Sequence, residues 1–500
     1  MNQRKAGIIL SYISMGLNAI IGFIYIPMLL MFLSKEQYGL YQLVGSMVAY
    51  LAVMDFGLAN TTVRYYSQLL VKKDAIGQEN LLATMLRLYT GISFIIMVVA
   101  IILLYVLLPF YTKTLSSAEL VTAQYVYWIM IFNLMVVIPG HIFSAIIQAH
   151  EKFIFLKVVH ILNIVLQPVL VFVILHFRAS IVALVVVQTL CNISLFLANG
   201  YYSIFKLGAK FHLHKWEGTF VKEILSFSFF IFLGVIMDQI YWKTGQLILG
   251  AVIGTVSVAI YSVAIQLTMA YIGFSANISS VFLPKLSALA VKEDLTETNN
   301  IFIKIGRLQF YVVMLIFFGF LLFGKQFINL WVGDSFLPAY YYTLLFMGAL
   351  IIPLIQNTGI LILQAKNKHA FRSIVYLIIS IVSVIVSIPL AKKYGAMACA
   401  IVTASCLLLG QGLVINIYYN HLGIAIVRFW KEISKLFIPM IIPVLSFILF
   451  LKYYSIQNNV LNLLWQIVLF VVIYCLVLWK FDFNDYEKNL VLSVIRKLKK

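Results

Sequence analysis

Apolar runs long enough to cross a bilayer recur from one end of this chain to the other. About 20 helical residues cover a hydrocarbon core roughly 30 Å thick. Runs of that order lie near 7–33, 39–63, 84–109, 121–147, 154–176, 179–204, 224–249, 256–283, 308–332, 338–364, 371–390, 395–419, 433–452 and 460–480. That is fourteen. Hydrophobic types make up 63% of the 500 residues and charged types 11%, against about 45–50% and about 25% in soluble proteins. A soluble chain could not hide so much apolar surface, which excludes a cytosolic enzyme, a secreted protein and a disordered chain. Helix is the predicted state of every run, because lipid cannot satisfy backbone donors and acceptors. The alternation of a membrane β-barrel is absent. Pro27, Pro139, Pro168 and Pro353 fall inside runs, where they kink a helix rather than end it. The first run is too long for a signal-peptide core and lacks a small-residue cleavage pattern, so it is expected to be retained. Cys191, Cys399, Cys406 and Cys475 lie in apolar runs and read as small hydrophobes, with no disulfide framework and no metal site among them.

The basic residues orient these runs. The net charge is +19. With the N-terminus inside, 28 of the 36 Lys and Arg fall in inner segments and seven in outer ones, leaving Lys243 within a run. A four-to-one bias places both termini in the cytoplasm, and a missed or extra helix would have mixed the two sets.

An internal repeat divides the chain. Ile147-Gln148-Ala149, followed by Lys152 and Phe153, matches Leu363-Gln364-Ala365, followed by Lys366, Lys368 and Phe371, at an offset of 216. Ala59-Asn60 and Ala276-Asn277 lie 217 apart, and Cys191 and Cys406 lie 215 apart. Six spans per repeat is an even number, so the halves run parallel through the membrane. The expected architecture is all-α and polytopic, with 14 transmembrane helices. Its parts are an N-lobe over 1–205, a cytoplasmic linker over 206–223, a C-lobe over 224–420, and two further helices with a basic tail over 421–500. Paired six-helix lobes favour an alternating-access transporter; a channel or scaffold is the other use of such repeats.

Two stretches carry a family resemblance. One is Leu33-Ser34-Lys35-Glu36-Gln37-Tyr38-Gly39-Leu40-Tyr41 with Asp55-Phe56-Gly57-Leu58-Ala59-Asn60-Thr61-Thr62-Val63-Arg64-Tyr65-Tyr66. The other is Leu247-Ile248-Leu249-Gly250 with Gly254 and Ala259-Ile260-Tyr261-Ser262. In these the chain resembles the polysaccharide flippases of the MOP (multidrug/oligosaccharidyl-lipid/polysaccharide) exporter superfamily, over essentially its full length. The resemblance implies two six-helix lobes, two extra C-terminal helices, and movement of polyprenyl-pyrophosphate-linked sugar repeats to the outer leaflet. It also implies a cavity built from spans one, two, seven and eight. One departure stands out. Similar members often carry an acidic residue shortly before Leu-Ile-Leu-Gly where this chain has Gly245, and a role tied to that carboxylate does not carry over.

Ionisable and polar groups inside spans are functional candidates by default, because each is costly unless paired or hydrated. Asp238 lies roughly 22 Å along span seven from Glu223; it is predicted to bind a coupling ion, or else to be a structural partner of Lys243 or a neighbouring helix. Gln239, Lys243 and Gln246 form an i, i+4, i+7 stripe predicted to meet phosphate or sugar, unless Lys243 snorkels to the outer boundary. Asp55 is the second ion-coupling candidate. Asn60 and Arg64 pair at the inner end of span two, where a guanidinium fork suits pyrophosphate; an interfacial anchor is the plainer reading. Asn18 and Tyr25 share a face of span one, either for substrate or for helix packing. Gln266 and Asn277 add polar groups to span eight, whereas spans thirteen and fourteen hold only Gln466. Helices facing lipid cannot carry such groups and helices lining water can. His141 reads as a buried, hydrogen-bonded histidine before it reads as a proton relay. His212 and His214 in the linker have metal-like spacing, but a solvated loop is the plainer reading.

No nucleophile elbow, phosphate-binding glycine loop or zinc motif is present, so neither an enzyme nor a cofactor is predicted. The expected protein sits in a bacterial inner membrane. Its expected substrate is a polyprenyl-pyrophosphate-linked glycan, gathered by Arg64, Lys72 and Lys73 and moved by an ion gradient or by consumption of the product. A polysaccharide polymerase and glycosyltransferases are its natural partners; nucleic acid is not. The rivals are an ion-coupled multidrug antiporter of the same superfamily and a non-transporting scaffold for glycan-synthesis enzymes.

Overall fold

The computed structural model describes residues 3–216, 218–291, 295–366, 368, 370–453 and 459–498. Lys292, Lys499 and Lys500 of the charge count lie outside them. Among the described residues there is no strand. The helices are α1 (Gln3–Phe32), α2 (Lys35–Ala52), α3 (Leu58–Lys72), α4 (Ala75–Tyr111), α5 (Ser117–Ala149) and α6 (Phe153–Phe177). They continue with α7 (Ile181–Tyr201), α8 (Gly218–Val252), α9 (Thr255–Val291), α10 (Leu295–Val332), α11 (Pro338–Ile355) and α12 (Asn357–Ala365). The last six are α13 (Ala370–Tyr394), α14 (Ala396–Leu407), α15 (Ile415–His421), α16 (Ile426–Tyr453), α17 (Val460–Val477) and α18 (Asp485–Leu498).

Thirteen helices among the described residues are long and apolar enough to cross a membrane. The remaining sequence run, 224–249, falls within α8, where many side chains before residue 235 lie outside the described residues. The protein is a multi-pass, all-helical membrane protein. Pro27, Pro139, Pro168 and Pro353 lie inside their helices. Helix starts follow local chemistry. Ser34 and Gln37 form a reciprocal capping box at α2, and Ser116 and Glu119 form another at α5, satisfying N–H groups that lack an intrahelical partner. Asp74 caps α4 by accepting from the Gly77 N–H at 2.9 Å.

Two runs expected to be unbroken are interrupted. The second, 39–63, stops at Ala52, passes through a single 3₁₀ turn at Val53–Asp55, and resumes at Leu58. Phe56 (φ 53°) and Gly57 (φ 66°) occupy the left-handed region there. That conformation is free for glycine and costs a non-glycine residue about 1–2 kcal/mol. Stacking of the Phe56 ring on Phe232 of α8, at 4.8 Å between centroids, helps hold it. The tenth run is divided at Gln356, between α11 and α12.

Packing gathers the chain into two compact units. The first holds everything through Ser262 together with Ile388–Ala396; the second holds Val263–Ser387 and Met397 onward. In the first unit α5 is central, packed against α7, α3, α4 and α2, while α1 lies along α6. In the second, α10 is central, against α11, α16, α17 and α12. The sequence division at 206–223 follows the repeat, whereas packing changes within α9. The reason lies in the α8–α9 hairpin, which docks on α2 and the α4–α5 turn. Gly39 lets the backbone of α2 approach Thr255 so closely that a Cβ would enter the Thr255 carbonyl. The Tyr111 hydroxyl donates to the Leu247 carbonyl at 3.2 Å, Thr114 to the Gly250 carbonyl at 2.7 Å, and Thr255 to Glu119 at 3.0 Å. The two stretches that carry the family resemblance thus pack on each other.

Candidate functional site

The break between α2 and α3 places Asp55 opposite α5, where its Oδ1 lies 3.2 Å from Nδ1 of His141. Asp55 is a coupling candidate from sequence, and His141 reads there as a buried, hydrogen-bonded histidine; the structure joins them but leaves His141 half-exposed. Both are partly exposed, at 21% and 39% of their side chains. Tyr89 of α4 is fully buried, with its hydroxyl near Asp55 and Thr62. The sequence signal for this site is Gly57 directly after Asp55-Phe56 in an apolar run, the mark of a helix break. Continuous hydropathy across 39–63 hid it.

On α8 the predicted stripe divides. Gln246 is buried and donates to Ser262 Oγ at 2.9 Å, while Ser262 donates to the Val258 carbonyl at 2.7 Å. It packs α8 against α9. Gln239 and Lys243 are half-buried and Asp238 is exposed. The Gln239 carbonyl accepts from the Tyr50 hydroxyl at 3.3 Å, and that hydroxyl also bonds Thr244. Gly245 has a packing reason: a Cβ there would come within 2.7 Å of the Tyr261 hydroxyl and within 2.8 Å of its ring. Restoring the family's acid as Gly245→Glu is therefore expected to destabilise the protein by about 1–3 kcal/mol. Thermal unfolding should show that loss, and pairing the change with Tyr261→Ala should relieve the clash.

Tyr25 is tied into the first unit. Gln188 of α7 donates to it at 3.1 Å and to Tyr41 of α2 at 3.0 Å, and Asn192 donates to Asn133 at 3.1 Å. Asn18, two turns before Tyr25, is exposed, as are Asn60 and Arg64, whose guanidinium lies 5.6 Å from the Tyr65 ring centroid. In the second unit Gln266 and Asn277 are exposed. Eleven residues is just over three whole turns, so they share one face of α9. Ser275 and Ser279 take the other side, accepting hydrogen bonds from the buried Gln309. At the α11–α12 break, Gln356 and Asn416 exchange hydrogen bonds at 2.9 and 3.1 Å, and Trp430 donates to Asn416 at 2.7 Å. Sequence reasoning passed over Gln188, Gln356 and Asn416, although each is a polar side chain in an apolar run.

The linker is docked rather than simply solvated. His214 Nε2 lies 2.9 Å and His212 Nδ1 4.0 Å from Glu79 Oε2, and Asn80 accepts from the backbone N–H groups of His214 and Lys215 at 3.0 Å. Among the described residues no group of three or more His, Cys, Asp or Glu is arranged to hold a metal ion.

Residues 5–290 match the family of polysaccharide biosynthesis proteins. The chain belongs to that family. No curated protein sequence matches it. Its fold is that of the MOP superfamily. A lipid II flippase, MurJ, in an inward closed conformation is 16% identical, with a TM-score of 0.73 over 94% of this chain and 98% of that one. A multidrug resistance MATE family transporter in an inward-facing conformation is 14% identical, with a TM-score of 0.65 over 85% and 99% of the two chains. A MOP superfamily transporter from Pyrococcus furiosus scores 0.55 at 14% identity, over 87% and 97%. The fold is thus one shared with a lipid II flippase and with multidrug transporters.

Proposed function

We propose that this member of the polysaccharide biosynthesis family is a lipid-linked oligosaccharide flippase. It moves polyprenyl-pyrophosphate-bound sugar repeats from the inner to the outer leaflet of a bacterial inner membrane by alternating access, with both termini in the cytoplasm. The observation that carries the reading is the family match over residues 5–290. The distribution of polar groups supports it. Asn18, Asn60 and Asp238 in the first unit, and Gln266 and Asn277 in the second, are exposed within membrane-spanning runs. Polar side chains do not face acyl chains without cost, so such exposure is the mark of a wetted surface. A hydrated path suits a sugar-pyrophosphate head, while the polyprenyl tail remains in lipid. Within the first unit, Gln239 and Lys243 are half-buried on α8 close to Asp238, and Tyr25 and Gln246 brace its helices. Arg64, with Lys72 and Lys73 a few turns on, meets the anionic head as it arrives from the cytoplasm. Ion coupling falls to Asp55 or Asp238.

The test is flipping in vesicles of the reconstituted protein, with a fluorescent polyprenyl-pyrophosphate sugar whose label a membrane-impermeant reductant quenches only on the outer face. Wild type should equilibrate the label across the bilayer. Arg64→Ala removes charge-assisted hydrogen bonds to pyrophosphate, each about 1.5–3 kcal/mol, and should raise the half-saturating substrate concentration roughly ten-fold. Arg64→Lys should restore only part of it. Export of cationic dyes without sugar-lipid flipping would favour the multidrug antiporter, and neither activity would favour a scaffold.

A further inference from the structure

A cavity of about 550 Å³ opens in the first unit between the starts of α1 and α6 and the end of α5. Its volume falls within the roughly 300–1,000 Å³ of ordinary ligand sites. We propose that this cavity binds an anionic phospholipid, with Lys157 meeting the headgroup phosphate beside Tyr12 and Gln148. The inference goes beyond the flippase reading and does not depend on it.

The cavity exists because two helix starts are pinned together. Gln3 Oε1 accepts from the Ile154 backbone N–H at 3.2 Å. Gly7 lets α1 approach α6 so closely that a Cβ would lie 2.6 Å from Phe153 Cβ. Past that contact, Ile8, Ser11 and Tyr12 of α1 line the open space with Leu156 and Lys157 of α6 and Gln148 of α5. The Ser11 hydroxyl is committed to the Gly7 carbonyl at 2.8 Å. The lining's other side-chain donors are the Lys157 ammonium, the Tyr12 hydroxyl and the Gln148 amide.

Position along the helices sets the level. The lining lies within the first three turns of α1, the first two of α6 and the last turn of α5. At 1.5 Å per residue, these are the ends of the spans, where headgroups sit, and not their middles. With both termini in the cytoplasm, as proposed above, the leaflet is the inner one.

The chemistry is that of an amphiphile. Lys157 is the one charged residue of the lining. Lys152 directly precedes Phe153, Lys5 lies three residues before Ile8, and Glu151 in the α5–α6 turn is the acid that offsets them in part. The local balance is positive, and basic pockets at the inner ends of spans suit anionic headgroups. On α1, Ile8, Tyr12 and Met15 follow at i, i+4 and i+7 and are 58%, 66% and 49% exposed. One face therefore leads from the cavity along the span, and acyl chains can lie on it while the phosphate stays at Lys157. A free anion would leave that face unused. A sugar pyrophosphate brings two phosphates and a bulky polar head, whereas one lysine beside Ile8, Phe153 and Leu156 suits a single phosphodiester.

Native mass spectrometry of the delipidated full-length protein in detergent tests the site. Dioleoylphosphatidylglycerol, dioleoylphosphatidylcholine and inorganic phosphate are titrated separately, with thermal unfolding in parallel. Phosphatidylglycerol should form its first adduct at about one-tenth the concentration that phosphatidylcholine needs, and should raise the melting temperature by mass action. Inorganic phosphate should do neither. Lys157→Gln should weaken the adduct about ten-fold, while Lys222→Gln, at an exposed lysine near the start of α8, should leave it unchanged. Ser11→Phe fills the cavity but keeps the charge, and should also weaken the adduct. Should Ser11→Phe melt below wild type without lipid, the comparison of the two lysines still decides.

Equal affinity for the two lipids, equal effects of Lys157→Gln and Lys222→Gln, or an adduct that survives filling of the cavity in a folded protein would each overturn the proposal. Stabilisation by inorganic phosphate equal to that by lipid would mean a soluble-anion site. One-for-one displacement of phosphatidylglycerol by polyprenyl pyrophosphate would give the cavity to the transported lipid. Both results overturn it too. None of these measurements needs flipping, so failure of the flippase reading leaves their outcome intact.

Discussion

Replacing Glu487 with Ala should destabilise the protein by about 3–5 kcal/mol, the cost of stranding a buried charge. Glu487 and Arg307 are 2% and 9% exposed and form a two-point contact: Nε to Oε1 at 2.7 Å and Nη2 to Oε2 at 3.0 Å. Arg307 Nη2 also donates to the Tyr311 hydroxyl at 2.9 Å and to the Asp482 carbonyl at 3.0 Å. On the other side, Glu487 and Asn484 cap the start of α18 reciprocally, both bonds at 2.9 Å. One carboxylate therefore starts the last helix and fastens it to α10. Truncation leaves the buried guanidinium only a longer 3.8 Å carboxylate contact, with Glu432 Oε2, and removes the cap as well. Thermal unfolding in detergent reads the loss. A double change to Arg307→Met with Glu487→Leu should recover most of it, because an apolar pair of similar volume needs no compensation. Glu297→Gln is the contrast. Its 3.7 Å contact with Lys285 is between side chains 40% and 60% exposed, and exposed pairs contribute about 0–1 kcal/mol. Equal losses at Glu297 and Glu487 would show that burial is not what makes the second pair matter.

The other large effect is expected at Gly39. Any Cβ there meets the Thr255 carbonyl and crowds the Ala259 backbone nitrogen. Backbone cannot swing aside as a flexible side chain can, so α2 and the α8–α9 hairpin must separate. Gly39→Val should reach or exceed the ~3 kcal/mol upper end of ordinary overpacking, with Gly39→Ala between it and wild type. Gly45, less than two turns further along α2, has open space around it, with no atom of the described residues within 4 Å of where a Cβ would sit. Gly45→Ala should be neutral, or stabilising by about 0.5–1 kcal/mol, since alanine loses less backbone entropy in a helix. A ranking in which both glycines behave alike would refute the close approach. The same series separates packing from helix propensity, which is identical for the two positions.

Much of this protein was legible from apolar run length and charge. Lipid leaves the backbone only one economical structure, so each long run had to be helix, and the helical state of the runs needed no knowledge of neighbours. The glycines and hydroxyls of the two family stretches were visible too, but not that Gly39 and Thr255 meet: their 216-residue separation says nothing about contact. Nor could periodicity find the Asp55–Gly57 break. A left-handed phenylalanine is unfavourable locally, and Phe232, distant in sequence, helps hold it by stacking on it.

The same limit governs the individual polar residues. Sequence named Gln246 and Tyr25 as polar groups in spans, but their partners Ser262 and Gln188 are a matter of which helix faces touch. Hydropathy acts residue by residue and is written in the chain; pairing of a carboxylate with an imidazole, or of Arg307 with Glu487 across 180 positions, exists only after packing brings them within 3 Å or so of each other. Element type and span number were therefore chain properties, whereas the Asp55–His141 site, the docked linker and the anchored last helix were settled by tertiary contact.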